Sequence, residues 1–236
     1  MSRGDSLWKR LRRRFLREHH RQRAFDTLEA FHAGESSLER SVWGALELGT
    51  EGEYRVKSVQ IASEITALAR AVAAIEPQVV VEIGTHRAGT FFLWAQLAAR
   101  RVISCDIVTP GPRAELYPRF APPARGVEVI ALHGDSHDPG FRAELEGALD
   151  GDPVDFLFID GDHSEAGVEA DYRDYRSLVR PGGLIAFHDI VERQPIATNQ
   201  VHRFWRRLAA EHPESTETFV DSPAQVGFGI GLLRVE

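Results

Sequence analysis

The sequence predicts an α/β protein with a doubly wound, mostly parallel sheet of seven strands, a C-terminal antiparallel hairpin and an N-terminal helical cap. Three observations carry this. From Val79 onward, short apolar runs alternate with stretches of helical period, the pattern of a parallel sheet covered on both faces. The stretch VVVEIGTHRAG, Val79 to Gly89, reads as a buried β-branched strand, a glycine turn bracketed by Gly84 and Gly89, and the start of a helix. Five strands in succession end in polar residues, and open α/β sheets bind ligands at the carboxyl ends of their strands.

The elements follow in order. Met1 to Arg23 is strongly basic, with Leu7, Trp8, Leu11, Phe15 and Leu16 spaced for one narrow apolar face. Packing on the domain or on a second subunit is preferred for it over an anionic membrane or nucleic acid, so a homo-oligomer joined through N-terminal helices is expected. Ala24 to His32 continues the helix, and Gly34 to Ser37 breaks it. Leu38 to Leu48 reads as a short helix and Thr50 to Tyr54 as a loop. Ser58 to Ile75 reads as a long amphipathic helix on Ile61, Ile65, Leu68 and Val72. Residues 1–57 are taken as a helical extension and 58–236 as the ligand-binding domain. The strands expected next are Val79–Ile83, Arg101–Asp106, Val127–Leu132, Val154–Ile159 and Leu184–His188. The helices between and after them are Gly89–Ala99, Phe141–Leu149, Glu165–Val179 and Gln200–Glu211. The proline-rich stretch Ile107 to Arg125 reads as a long loop at the ligand edge. Thr216–Asp221 and Val226–Val235 form the closing hairpin.

Composition narrows the function. With 236 residues, 43% hydrophobic and 27% charged, the chain suits one soluble α/β domain with additions. A net charge of −7 argues against nucleic acid as the main partner. The single cysteine, Cys105, excludes an internal disulfide and a cysteine metal cluster, and its place in a strand marks a buried, inert thiol. A reducing, cytoplasmic location is expected. The N-terminus lacks the apolar core of a secretory signal, and no apolar run is long enough to span a bilayer.

The glycine turn is not G-x-G-x-x-G, so the dinucleotide fingerprint fails. Asp106, at the end of the second strand, stands where an acid commonly holds ribose hydroxyls. Taken in order, EIGTHRAGT, CD, HGDS, DFLFIDGDH, RPGGLIAFHD and GFGIGLLRV resemble a class I S-adenosylmethionine-dependent methyltransferase. More narrowly, the pattern resembles the metal-dependent small-molecule O-methyltransferases of sugar and natural-product modification, a group also labelled cephalosporin hydroxylase-like. The resemblance runs from about Ser58 to the C-terminus and implies a Rossmann-like fold. It implies that Glu82, Gly84, Thr85, Gly89 and Thr90 line the methionine part of S-adenosylmethionine, that Asp106 accepts the ribose hydroxyls, and that Asp135 and Ser136 face the adenine. Asp160 is shared between the cofactor side and catalysis. The resemblance also implies a divalent metal, magnesium or manganese, on Asp160, His188 and Asp189. His188 stands where an acid is usual. Read without the resemblance, Asp189 is a loop cap and His188 a satisfied strand-end histidine. His163, one turn of loop after Asp160, is the choice for general base, because histidine titrates near working pH. His86, His133 and His137 rank below it. The expected substrate is a small-molecule hydroxyl acceptor. A cofactor-binding scaffold without turnover and a nicotinamide-dependent oxidoreductase are the competing readings.

Overall fold

The computed structural model describes the backbone of residues 3–236 and side chains from residue 8 onward. Met1, Ser2 and the Leu7 side chain of the expected apolar face lie outside the described residues. A single helix, α1 (Arg3–Ala33), takes in both basic and later halves of the N-terminal segment, and α2 (Leu38–Leu46) follows, with Ser37 accepting from the Arg40 N–H as its cap. Next come α3 (Ala62–Ala73), β1 (Val79–Ile83), α4 (Gly89–Leu97), β2 (Arg101–Asp106), β3 (Glu128–His133), α5 (Pro139–Leu149), β4 (Val154–Ile159) and α6 (Glu165–Tyr175). The chain ends in β5 (Val179–His188), α7 (Val201–Glu211), β6 (Thr216–Phe219) and β7 (Ile230–Arg234).

The sheet runs β3-β2-β1-β4-β5-β7-β6. Strands β1 to β5 pair parallel, and β7 runs antiparallel to both β5 and β6. The period of two along each strand sorts the core into two layers. Val80, Val102, Phe156, Phe158 and Leu184 face α2, α3, α4 and the second half of α1. Val79, Val81, Ile83, Leu157 and Phe187 face α5, α6 and α7. Helix α4 is buried from Gly89 to Ala95, because the sheet covers one side and the N-terminal helices the other. Cys105 is a free, buried thiol, and burial pushes its pKa up. Among the described residues, no helix is long and apolar enough to cross a membrane.

Several boundaries differ from the sequence reading, each for a physical reason. The helix expected from Ser58 starts only at Ala62. Ser58 to Ile61 is a non-helical arm, bent at Gln60, whose start is fixed by a hydrogen bond from the Ser58 N–H to the Ala45 carbonyl at 2.7 Å and by a bridge between Lys57 and Ala88. Helix α6 ends at Tyr175, and β5 begins at Val179, five residues before the expected start. Gly182, with φ +77, donates to the Val235 carbonyl, so Pro181–Gly183 stays within the sheet. The last strand begins at Ile230, four residues late, because Gly227, Phe228 and Gly229 all have left-handed φ, at 74, 58 and 83. The Ile107–Arg125 stretch holds two 3₁₀ segments, Gly111–Arg119 and Pro123–Arg125, and buries Leu116, Tyr117 and Phe120 against α4 and the core. Gly52–Tyr54 is likewise a 3₁₀ turn, with the Tyr54 hydroxyl donating to Glu115 at 2.9 Å.

Candidate active site

The carboxyl ends of β1, β2, β4 and β5, with the start of α4, surround a cavity of about 820 Å³. It opens where the strand order reverses between β1 and β4, the switch point at which open α/β sheets bind ligands. The arm Lys57 to Gln60 and the segment Gln194 to Ile196 close it from either side.

One half of the cavity is the glycine turn and the ends of β2 and β3. Gly84 and Gly89 are glycines for the sake of the chain itself. A Cβ at Gly84, where φ is +99, would stand 2.0 Å from the Asp160 carbonyl oxygen, and one at Gly89 would stand 2.0 Å from the Ser58 nitrogen. Their close approach draws the end of β4 and the Ser58 arm to the cavity. Thr85 and Thr90 line the wall, and the Thr85 hydroxyl lies 2.7 Å from that of Ser104. Ala88, with φ 60, precedes α4 and gives it no side-chain cap, so the first N–H groups of the helix stand at the cavity. Asp106 accepts backbone N–H groups from His86 and Val108, both at 2.7 Å, and faces the same space. Asp135 is exposed at the rim and accepts from the His137 N–H. Ser136 lines the wall, but its hydroxyl donates to buried Asp171 at 2.7 Å.

Glu82 is the clearest departure from the sequence reading. It does not line the cavity. Strand alternation sends its side chain the way of Val80, toward α4, where it is fully buried and accepts from the Trp94 indole N–H and the Ser104 hydroxyl. Burial pushes its carboxyl up to about 8, partly offset by the hydrogen bonds from Ser104, Thr90 and Trp94. At neutral pH Glu82 is mainly a neutral acid holding the turn from behind.

The other half is a compact acid–histidine cluster at the ends of β4 and β5. Asp160 Oδ1 lies 3.2 Å from His163 Nε2 and 3.3 Å from His188 Nδ1, while its Oδ2 accepts from the Gln60 amide at 3.0 Å. His163 Nδ1 is 3.7 Å from Asp189 Oδ2, and His188 Nδ1 is 3.2 Å from Asp189 Oδ1. Ser164 caps α6, accepting from the Gly167 N–H. Burial raises Asp160, but His188 and His163 more than reverse this and hold it well below the usual carboxylate range. Burial and the nearby Asp160 charge push Asp189 up. The hydrogen bond to Asp160 raises His163 to about 9 against the cost of its burial. Burial lowers His188, and the two carboxylates overcome that to raise it. His163 therefore rests protonated at neutral pH, which corrects the expectation that it titrates near working pH. His86, by contrast, is lowered by burial and by Arg87.

Asp160, His163 and Asp189 offer ligand atoms that all lie within 4.8 Å of one another. His188, the third member of the expected trio, stands directly beside that group. Its Nδ1 is engaged with the two acids, and its Nε2 is buried without a partner on the side of the Phe228 ring. Gln60 Oε1 and His137 Nε2 are also buried without a hydrogen-bond partner, so three residues that line the cavity carry unsatisfied polar atoms. Left-handed φ values at His86, Ala88 and Asp189 cluster round the same space, where backbone strain commonly accompanies function.

Three residues that hold the site were not singled out from the sequence. Gln60 precedes the first apolar position of the α3 stripe, which was the available sign that it lies outside the helix. Asn199 donates to Asp189 and accepts from the Val201 N–H at the start of α7, a cap-type position readable from Asn-Gln-Val. Glu64 is buried and accepts from the Gln225 amide at 2.6 Å and the Gly229 N–H at 3.1 Å, tying down the segment that carries Phe228. A carboxylate on the buried face of an amphipathic helix was the one available sign of Glu64.

Residues 81–190 match a family described as a methyltransferase domain. Among solved structures, the O-methyltransferase TomG from Streptomyces achromogenes, in complex with S-adenosylmethionine, is 17% identical with a TM-score of 0.56, covering 86% of this chain and 92% of that one. The MycE methyltransferase of mycinamycin biosynthesis, in complex with magnesium and S-adenosylhomocysteine, is 15% identical with a TM-score of 0.51, covering 86% of this chain and 54% of that one. At these identities the likeness is one of fold. A relative from Sinorhizobium fredii, the uncharacterized protein y4gI, is 26% identical over 176 residues, 67% of this chain. The chain spans only 17% of that relative's length.

Proposed function

We propose, from the match of residues 81–190 to a methyltransferase domain, that this chain transfers the methyl group of S-adenosylmethionine to a hydroxyl oxygen of a small molecule, a sugar or another natural-product intermediate, with metal assistance. The observation that carries the reading is one cavity walled on one side by a glycine turn, an uncapped helix start and Asp106, and on the other by the cluster of Asp160, His163 and Asp189. A reducing, cytoplasmic setting belongs to the same reading and is supported by the single buried thiol.

Bound S-adenosylmethionine supplies an activated methyl group on a cationic sulfur whose charge is lost on transfer. Asp106 would hold the ribose hydroxyls through the acceptor capacity left beside its two backbone bonds. Asp135 at the rim would accept from the adenine amine. The unpartnered Gln60 amide oxygen would orient the acceptor between the two halves. His163 would take the acceptor proton as the oxygen attacks. The base form of His163 that takes it becomes populated as pH rises toward about 9. Once it has taken the proton, Asp160 and Asp189 stabilise the imidazolium, so the positive charge of the site is kept through the reaction.

The Asp160 and Asp189 carboxylates would hold a divalent ion, and oxygen donors of this kind fit magnesium or manganese, leaving the His163 imidazole as the base. A divalent ion held there would lower the pKa of the acceptor hydroxyl. Its charge is opposed by the protonated His163 imidazolium beside it, so manganese affinity is expected to rise with pH toward about 9. The test is release of S-adenosylhomocysteine with a panel of sugar and catechol diols. Turnover with at least one diol, lost in EDTA and restored by manganese, is the expected result. Turnover untouched by EDTA removes the metal and leaves His163 acting alone. Manganese affinity that stays flat between pH 6 and 9 would mean that the ion does not sit beside His163.

A further inference from the structure

The first half of α1 carries an apolar face that the body of the protein does not cover. Trp8 is 74% exposed, Leu11 48%, Phe15 72% and Leu16 41%. Trp8, Leu11 and Phe15 fall at i, i+3 and i+7, so they share one side of the helix, and Leu16 stands at its edge. Arg10, Arg13 and Arg14 lie on the opposite side, as does Arg17, which pairs with Glu53 at 3.7 Å where the helix meets the body. The nine residues Lys9 to Arg17 contain six Lys and Arg and no acid. Since the whole chain has a net charge of −7, the other 227 residues carry −13. The second half of the helix is anchored: Arg21 pairs with Glu115 at 2.6 Å, Arg23 with Glu51 at 3.6 Å, and Ala24 and Leu28 enter the core. The helix thus fastens at one end and presents a basic, amphipathic other end to solvent. Packing on the domain, one of the two roles expected from sequence, is not what this face does.

We infer that the first half of α1 docks on an anionic lipid surface, with Trp8, Leu11 and Phe15 entering the acyl boundary and the arginines meeting the headgroups. An aromatic and aliphatic face opposite an arginine face is the composition of a helix lying in a membrane interface. Charge selects this occupant over the others. Two copies meeting on this face would bring together two segments with six positive charges each and no acid between them, which opposes pairing. A nucleic acid would satisfy the arginines but leave the Trp8, Leu11 and Phe15 side in water. An anionic bilayer takes up both faces. The acidic body is repelled by the same surface, so only the helix would lie down on it and the cavity would stay open to the aqueous side. The inference stands independently of methyl transfer.

Vesicle flotation with the full chain tests it. Vesicles of pure phosphatidylcholine are compared with vesicles of equal parts phosphatidylcholine and phosphatidylglycerol. The protein is expected to float with the mixed vesicles alone, and less so as salt is raised. The double variants Trp8→Ala/Phe15→Ala and Arg12→Glu/Arg13→Glu are each expected to bind about tenfold more weakly with unchanged helix content, because these side chains are exposed. Full binding by Trp8→Ala/Phe15→Ala would reduce the effect to a polycation on a charged surface and overturn the insertion. Failure of the wild type to float overturns the inference. So does a solution mass of two chains that falls to one in Trp8→Ala/Phe15→Ala, which assigns the face to a second copy.

Discussion

His163→Ala is expected to lower kcat for methyl transfer by about 10²–10⁴-fold while leaving the affinity for S-adenosylmethionine unchanged. The expectation follows from where His163 stands. It lies between Asp160 and Asp189, at 3.2 and 3.7 Å, and apart from Asp106 and the glycine turn that would hold the cofactor. Its hydrogen bond to Asp160 raises it to about 9, so a proton taken from the acceptor is held firmly there. The sign of the pH dependence follows. A histidine raised in the folded state keeps its stabilising pair fully below about 6.5, the ordinary value, and loses it as pH rises through about 9. The base form appears over that same interval. The wild-type kcat/KM should therefore climb with pH toward about 9, and the climb should vanish in His163→Gln. If excess manganese restores His163→Ala, the residue is a metal ligand; if His163→Ala keeps full kcat across this range, the base lies elsewhere, and His86, already lowered toward its neutral form, is the next to test.

Glu82→Gln is expected to change the pH dependence of stability more than any other single substitution here. The carboxyl is fully buried and raised from 4.5 to about 8, chiefly by burial. Between those values the folded chain holds a proton that the unfolded chain has released, so unfolding free energy falls as pH rises. That difference corresponds to as much as about 4–5 kcal/mol lost by pH 8.5. Glutamine keeps an acceptor for Trp94 and a donor for Ser104 but has no proton to lose. Urea unfolding of both proteins at pH 5 and pH 8.5 reads the effect. The variant should match the wild type at the lower pH and exceed it at the higher. Parallel curves for the two proteins would mean that Glu82 is charged or solvated in the folded state. His163 and His188 titrate in both proteins and cancel in the comparison.

How much of this was legible in the sequence depends on how local the cause is. The alternation that builds β1 to β5 and the polar strand ends that meet at the cavity are period-two signals, and they placed Asp106, Asp160 and Asp189 on one edge. The direction of Glu82 was readable from the same period but was overridden by its place at the strand end. Other features answer to distant partners. Ser58 is held by Ala45, and Lys57 before it by Ala88, so the late start of α3 answers mainly to partners outside the stretch. The left-handed run Gly227–Gly229 is secured by Glu64, more than 160 residues earlier. The state of His163 is set by two carboxylates from different strands, so its residue type alone points to the wrong pH.

The central claim, that this cavity takes S-adenosylmethionine, is tested most directly by titration calorimetry of the wild type and Asp106→Ala with S-adenosylmethionine and with NAD. Asp106 faces the cavity with both carboxylate oxygens fixed by backbone N–H groups, so removing it takes away hydrogen bonds to a charged group, about 1.5–3 kcal/mol. The predicted result is one S-adenosylmethionine site per chain, weakened about 10–150-fold in Asp106→Ala, with no NAD binding. Binding of NAD alone, or S-adenosylmethionine binding indifferent to Asp106, would contradict it.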